Sequence, residues 1–275
     1  MFNMVTPSAQ VLSDTKSNTT IQYTLPNYNI ENVTLNGKLY SRVVIPSNQV
    51  TYLEKGYPEL PRLYSSIIIN DNGEYGYQIL NVVYETLSVN TILPSKGNLI
   101  RDIDPEKIPY EFNSFYTEDK WFPESPIDIG TPYILRDFRG LTIHFDPFMY
   151  NPSKNQLIVC HNITVQIYKD KDGGPNIKTR NSGSITITKE FEDMYQSFFL
   201  NYSPSRIDTV LERAGRMLVI TANSYYNNIL PLVNWKRMKG IPTKLVRYPD
   251  STGSGSTSIK NYIQTEYNRG SLVWI

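Results

Sequence analysis

GRMLVITANSYYNNILPLVNWKRMKGIPTKLV, residues 215–246, is the stretch whose reading decides the fold. RMLVITA is a continuous apolar run, the pattern of a parallel strand buried on both faces. Residues 226–239 place Ile229, Leu232, Val233 and Lys236 on one helical face, and Gly240 stops the helix. IPTKLVRYP reads as a second strand, STSIKNYIQTEYN as a helix opening on Ser/Thr caps, and SLVWI as the start of a third strand. A βαβαβ run specifies a parallel sheet with right-handed crossovers. Its third strand stands bare at Ile275, so the natural protein is expected to continue.

The pattern upstream is different. From Val33 to Tyr202, short strand candidates recur at the spacing of a sandwich or barrel: KLYSRVVI, RLYSSIIIN, YGYQILNVVYETLSV, LTIHF, QLIVCHNITVQIY and SITIT. The 21 Tyr, 18 Pro and 15 Gly suit strands linked by turns. Before them, LSDTKSNTTIQYTL suggests one strand. Asn72-Gly73 predicts a tight hairpin. Strand signals thin out between Pro94 and Tyr133, where Pro94, Pro105, Pro109, Pro123, Pro126 and Pro132 predict a long ordered loop of functional use. KDKDGGPNIKTRNSG reads as an irregular segment; its DKDGG faintly resembles a calcium loop but lacks the ligand spacing and terminal Glu, and reads as a hairpin turn. KEFEDMYQSFFLNY sets Phe191, Met194, Tyr195, Phe198 and Phe199 on one helical stripe, and SPSRIDTVLERAGR reads as an exposed linker.

Composition narrows the function. The net charge of +1, without a basic stripe, lacks the electrostatic footprint of nucleic-acid binding. No apolar run reaches membrane-span length, and MFNMVTPSAQ has neither the basic nor the apolar region of a signal peptide. One cysteine, Cys160, excludes an intrachain disulfide and a Cys-rich zinc site. Cys160 and His161 are strand neighbours that project to opposite faces, so they form no dyad, and His144 has no partner legible in sequence. The carboxylate pairs Asp102 with Asp104 and Glu190 with Glu192 read equally well as solvated charges. No glycine cradle for phosphate follows Ala222. The expected set is therefore no catalytic residue, no metal ligand and no cofactor within these residues.

Taken together, the segments carry a likeness. GRMLVITANSYYNNILPLVNWKRMKGIPTKLV and STSIKNYIQTEYNRGSLVWI resemble the opening of the catalytic domain of gingipain-type cysteine endopeptidases, which are clan relatives of caspases. EKGYPELPRL, PSKGNLIRDIDPEKIPYEFNSFYTEDKWFP, PYILRDFRG, FDPFMYNP and FEDMYQSFFLNYSPSR are similar to that family's propeptide in sequence and order. The likeness runs from about Val50 to Ile275, and residues 1–49 match weakly.

The resemblance implies a mainly β chain. Residues 1–206 would be a β-sandwich or barrel-like pro-domain, and residues 207–275 the truncated βαβαβ start of a caspase-like protease. It implies a secreted zymogen, periplasmic or extracellular, that cleaves after basic residues, Arg before Lys. The catalytic His and Cys would come from later strands, so this chain would be inactive alone. The pro-domain would block and help fold its own catalytic domain, with Arg101 entering the S1 pocket and maturation following Arg206. Arg213 and Arg216 are alternative cut sites, Arg216 the poorer because cutting there trims the first strand. A guanidinium suits a carboxylate-lined pocket through bidentate hydrogen bonds, and a linker arginine offers a protease extended backbone. Two other readings stay open: a secreted β-sandwich binding or adhesion module, and a degenerate, inactive family member.

Overall fold

The computed structural model describes residues 8–48, 50–180, 186–207, 209–211 and 215–275. The chain divides into two compact units, one of Met1–Arg180 and Phe198–Tyr202, the other of Asn181–Ser197 and Ser203–Ile275.

The first unit contains β1 (Ser8–Asp14), β2 (Asn18–Thr24), β3 (Asn29–Leu35), β4 (Lys38–Val44), β5 (Leu63–Ile69) and β6 (Glu74–Ser88). Then come β7 (Ile127–Ile129), β8 (Tyr133–Leu135), β9 (Phe138–Phe145), β10 (Phe148–Asn151) and β11 (Gln156–Lys171). One antiparallel sheet runs β1-β2-β11-β10 with β6 also on β11; a second runs β5-β9-β7 with β8 also on β9; β3 and β4 pair separately. Ile21 and Tyr23 of β2, Ile67 of β5, Leu141, Ile143 and Phe145 of β9, and Val159, Ile163 and Val165 of β11 share one buried cluster. The sheets therefore pack face to face as an open sandwich, and the barrel alternative falls away. Period-two alternation builds that core: Leu157, Val159, Ile163, Val165 and Ile167 of β11 are buried in one phase, interrupted at a bulge between Cys160 and Asn162 where the register against β6 shifts.

Three turn readings change. LSDTKSNTTIQYTL forms two strands, β1 and β2, around a turn in which Thr15 Oγ1 accepts from the Asn18 amide at 3.0 Å. Asn72-Gly73 makes no hairpin, because β5 and β6 lie in different sheets. It is an arch whose polar groups are met by a third segment: Gly73 N–H donates to Gly173 O at 2.9 Å, and Asn72 Oδ1 accepts from Gly173 N–H at 2.8 Å. KDKDGG is accordingly no hairpin either; it lies along that arch, with Asp172 ion-paired to Lys169.

The second unit holds β12 (Thr186–Thr188), α1 (Lys189–Phe198, whose last residue counts with the first unit), β13 (Thr209–Leu211) and β14 (Arg216–Ala222). It continues with α2 (Tyr226–Met238), β15 (Thr243–Tyr248), α3 (Ser256–Asn268) and β16 (Leu272–Trp274). The sheet order is β15-β14-β16, all parallel, as the βαβαβ reading requires. Leu218, Val246 and Leu272, one from each strand, form its core with Ile220, Tyr262 and Ile263. A Cβ on Gly215 would lie 2.0 Å from Val273 Cγ2, so only glycine admits the chain at the entry to β14. Gly240, at φ +79°, ends α2 as expected.

Smaller expectations shift. On α2, Val233 is buried and Ile229 and Lys236 are half-buried, but Leu232 is 43% exposed and lies off that face. The α3 N-cap is Gly255, at φ +87°, without a side-chain cap hydrogen bond, so Ser256 and Thr257, the expected caps, lie inside the helix instead. The supposed linker contains β13, which pairs in parallel with β12.

Glu266 of α3 is buried beneath three cations: Lys244 at 2.7 Å, Arg269 at 2.5 Å and Arg216 at 3.1 Å. The hydrogen bond from Lys244, reinforced by Arg216 and Arg269, holds its carboxyl below the usual range. A depressed carboxylate contributes stability above its unfolded pKa, about 4.3, which is lost as pH falls through the lower folded value. The expected loss for Glu266→Gln at pH 7 is about 1–3 kcal/mol, because the cations it leaves reach solvent. The loss should vanish toward pH 2, and urea melts followed by Trp235 and Trp274 fluorescence check it. Equal losses at both pH values would contradict the charge-based account.

Candidate functional site

Of the expected loop Pro94–Tyr133, residues 95–113 form an ordered excursion tied at its base, whereas the rest holds a 3-10 turn at Ser114–Thr117 and strand β7. Ser95 N–H donates to Tyr57 O at 2.7 Å, Gly56 N–H donates to Ser95 O at 3.0 Å, and the returning chain closes on the same residue through Asn113 N–H to Gly56 O at 3.0 Å. The limbs therefore leave and rejoin the sandwich at one point, the geometry of an Ω-loop. Within it, Ile103 N–H donates to Ile100 O at 3.1 Å, and Asp104 Oδ1 caps the short 3-10 turn Pro105–Lys107 by accepting from Glu106 N–H at 3.0 Å. Asp104 therefore has a structural role beside its charge. Arg101 sits at the turn, exposed, between the exposed Ile100 and Asp102. Beneath the loop lies a hollow of about 580 Å³ lined by Arg42, Leu53, Glu59, Lys96, Leu99 and Tyr110 among others. The sequence reading passed over Tyr110, whose hydroxyl accepts from Arg42 NH2 at 2.8 Å; no periodicity links a strand arginine to a tyrosine 68 residues away.

The chain leaves the sandwich by a firm anchor. Leu200 N–H donates to Ser66 O at 2.9 Å, and the buried Asn201 side chain bonds both the N–H and the C=O of Ile68, at 2.7 and 3.0 Å. Pro204–Arg206 then form a 3-10 turn capped by Ser203, in which Pro204 and Ser205 are exposed and Arg206 is half-buried. Arg216 is placed differently. It lies on β14 with its guanidinium donating to Glu266 Oε2 at 3.1 Å, Glu266 O at 3.0 Å and Gly270 O at 2.8 Å. Arg213 lies outside the described residues. Arg101 and Arg206 belong to different compact units.

The remaining chemistry-bearing side chains are structural. Cys160 is fully buried, and burial pushes its thiol up to about 11, so it stays protonated at neutral pH. His161, on the opposite face, meets Glu85 at 2.8 Å, and His144 finds Asp128 of the paired strand β7 at 3.1 Å. Glu192 pairs with Lys189 at 2.7 Å. Among the described residues no three His, Cys, Asp or Glu side chains gather as a metal site would require, and no helix is long and apolar enough to cross a membrane.

The family model described as Propeptide_C25 matches residues 3–201. The chain belongs to this family. The matched residues include the whole sandwich, the Arg101 loop and the Asn201 anchor, and stop five residues before Arg206. Among curated proteins, this Propeptide_C25 member is similar to Gingipain R1 of Porphyromonas gingivalis, 32% identical over 267 residues, which are 96% of this chain and 26% of that protein. It is likewise 32% identical over 271 residues to Gingipain R2 of the same organism, covering 96% of this chain and 36% of the other. Lys-gingipain is 25% identical over 245 residues, 85% of this chain and 14% of its own. The chain thus spans about a quarter to a third of the first two relatives. Among solved structures, a chain of the complex of Porphyromonas gingivalis RgpB pro- and mature domains matches with TM-score 0.64 and 30% identity, over 71% of this chain and 97% of that one. A chain from the structure on zymogenic latency of gingipain K, 18% identical with TM-score 0.51 over 62% of this chain and 96% of that one, shares the fold.

Proposed function

We propose that these 275 residues are the N-terminal part of a secreted cysteine endopeptidase zymogen that cuts after arginine. In this reading residues 1–206 are the inhibitory and folding-assisting propeptide, and residues 207–275 begin the protease domain. The observation that carries it is the exposed Arg101 at the turn of a loop whose two limbs are tied to one point of a Propeptide_C25 sandwich. A held loop presents its side chain with little further ordering to lose, which is what tight inhibition needs. The higher identity to Gingipain R1 and R2 than to Lys-gingipain supports arginine over lysine.

The partner is the protein's own catalytic domain, first covalently joined and later held without the bond; the substrates are proteins. Strand order β15-β14-β16 reverses direction at β14, and ligands of such sheets bind outside the carboxyl ends of the strands at that point. Loops after further strands would bring the catalytic His and Cys to the same edge. Maturation follows Arg206, where a single 3-10 turn opens to extended backbone at small cost. Arg216 is held by five polar contacts in a strand and makes a poor substrate.

The test is inhibition of an arginine-specific gingipain-type peptidase by the 275-residue chain, wild type beside Arg101→Ala. The mutant is expected to bind at least about tenfold more weakly, or 1.4 kcal/mol, and the new N-terminus after digestion should be Ile207. Strong inhibition by both proteins would remove Arg101 from the pocket. No inhibition by the wild type would return the sandwich to the binding-module or degenerate readings.

A further inference from the structure

Arg101 reaches no nearby core, so something else must give its loop a shape. The loop stands over the 580 Å³ hollow. One side chain crosses from one limb to the other. Lys96, the first residue past the anchored Ser95, donates from Nζ to the carbonyl oxygen of Pro105 at 2.7 Å, and the same ammonium lies 4.2 Å from the centroid of the Tyr110 ring. Lys96 is on the outgoing limb, Pro105 and Tyr110 on the returning one, and Arg101 lies between them in sequence. Tyr110 is in turn fixed to the sandwich, its hydroxyl accepting from Arg42 of β4 at 2.8 Å.

We propose that Lys96 is a positioning residue: its bridge to the Pro105 carbonyl and the Tyr110 ring holds the loop in the shape that presents Arg101. This rests on the reading of Arg101 as the pocket-filling residue. The ammonium suits the place for two reasons. A charged donor to a carbonyl is stronger than a neutral one, and a cation over an aromatic face gains from the ring quadrupole without giving up its hydrogen bond. Glu59 adds a third. Burial pushes its carboxyl above the usual range, while Arg42 and Lys96 pull it back, so a carboxylate in the hollow draws both cations inward. Without the Lys96 charge the limbs separate at low cost, and Arg101 keeps its chemistry but spends less time in the presenting geometry.

Two readouts on the full 275-residue chain separate the brace from the inhibitory reading. The first is native-state trypsin cleavage after Arg101, measured by mass spectrometry relative to cleavage after Arg206 in the other unit. Lys96→Met should raise it about tenfold, because cleavage follows the population of the opened loop, whereas Lys96→Arg, which can reach both partners, should stay within about twofold of wild type. The second is inhibition of the arginine-specific peptidase. Lys96→Met should weaken it about tenfold in the wild-type background and less than about twofold in Arg101→Ala, since the two residues act as one unit. Thermal unfolding of Lys96→Met should match wild type.

Equal trypsin cleavage of wild type and Lys96→Met overturns the brace whatever the inhibition data say. Additive losses in the double variant overturn its action through Arg101. Faster cleavage beside a wild type that does not inhibit keeps the brace and discards the pocket-filling role.

Discussion

Arg62→Ala is expected to cost the first unit about 3–5 kcal/mol, because it strips the partner from a buried carboxylate. Asp146 is 1% exposed, with Oδ1 held by Arg62 Nε at 2.8 Å and Oδ2 held by Arg62 NH2 at 2.9 Å and the Tyr52 hydroxyl at 2.8 Å. The guanidinium also stacks 4.4 Å from the Tyr52 ring centroid, and Asp128, which pairs with His144, lies 3.6 Å away. Burial pushes the Asp146 carboxyl above its usual range, and the Arg62 hydrogen bonds are the largest force opposing that. Without Arg62 the folded pKa rises further. A raised carboxyl pKa contributes stability that is fully present below the unfolded value, about 3.9, and lost as pH rises through the folded one. The variant should therefore be closest to wild type near pH 4 and fall away toward pH 7 in urea melts. A loss below about 1 kcal/mol at pH 7 would refute the account. The double variant Arg62→Met, Asp146→Leu should recover much of the loss, since an apolar pair leaves no stranded charge.

Arg139→Ala should be comparably damaging for a different reason. The Arg139 side chain is fully buried on β9, and the hydrogen bonds from its guanidinium go to backbone: NH1 to Asn70 O at 3.0 Å, NH2 to Gly73 O at 2.9 Å and to Pro175 O at 2.7 Å. It supplies the donors that the arch at 70–73 and the segment at 175 lack because no strand pairs with them. Truncation leaves a cavity and three carbonyls without those donors, a loss of about 3–5 kcal/mol. Arg139→Lys should rescue little, because a single ammonium cannot copy a fork that reaches three carbonyls. Denaturant midpoints and amide exchange at Gly73 and Gly173 check both statements. A lysine variant within about 1 kcal/mol of wild type would show that charge, and not the fork, holds the arch.

The candidate site was legible unevenly. The proposed role of Arg101 comes from its place in a propeptide-like segment, not from any local pattern. The Lys96 contacts beneath it leave no mark in the sequence, because Lys96, Pro105 and Tyr110 are joined by a carbonyl and a ring face that have no spacing rule. His144 gained its partner Asp128 only when β7 paired with β9, and Asp146 found Arg62 across 84 residues.

By itself the sequence determined what depends on neighbours within a few residues. Apolar runs and helical stripes specified β14-α2-β15-α3-β16, short recurring β-type runs specified β5, β9 and β11, and Gly240 ended its helix, because burial of a local face and the freedom of a glycine are local properties. Tertiary structure alone decided which strands share a sheet, and so turned the Asn72-Gly73 hairpin into an arch and the KDKDGG hairpin into a crossing segment. It also placed β13 beside β12 within the supposed linker. A turn dipeptide reports the backbone angles it tolerates, whereas its partner is chosen by the hydrophobic faces of strands far away in the chain, and by which buried donors, here Arg139, stand ready to meet its carbonyls.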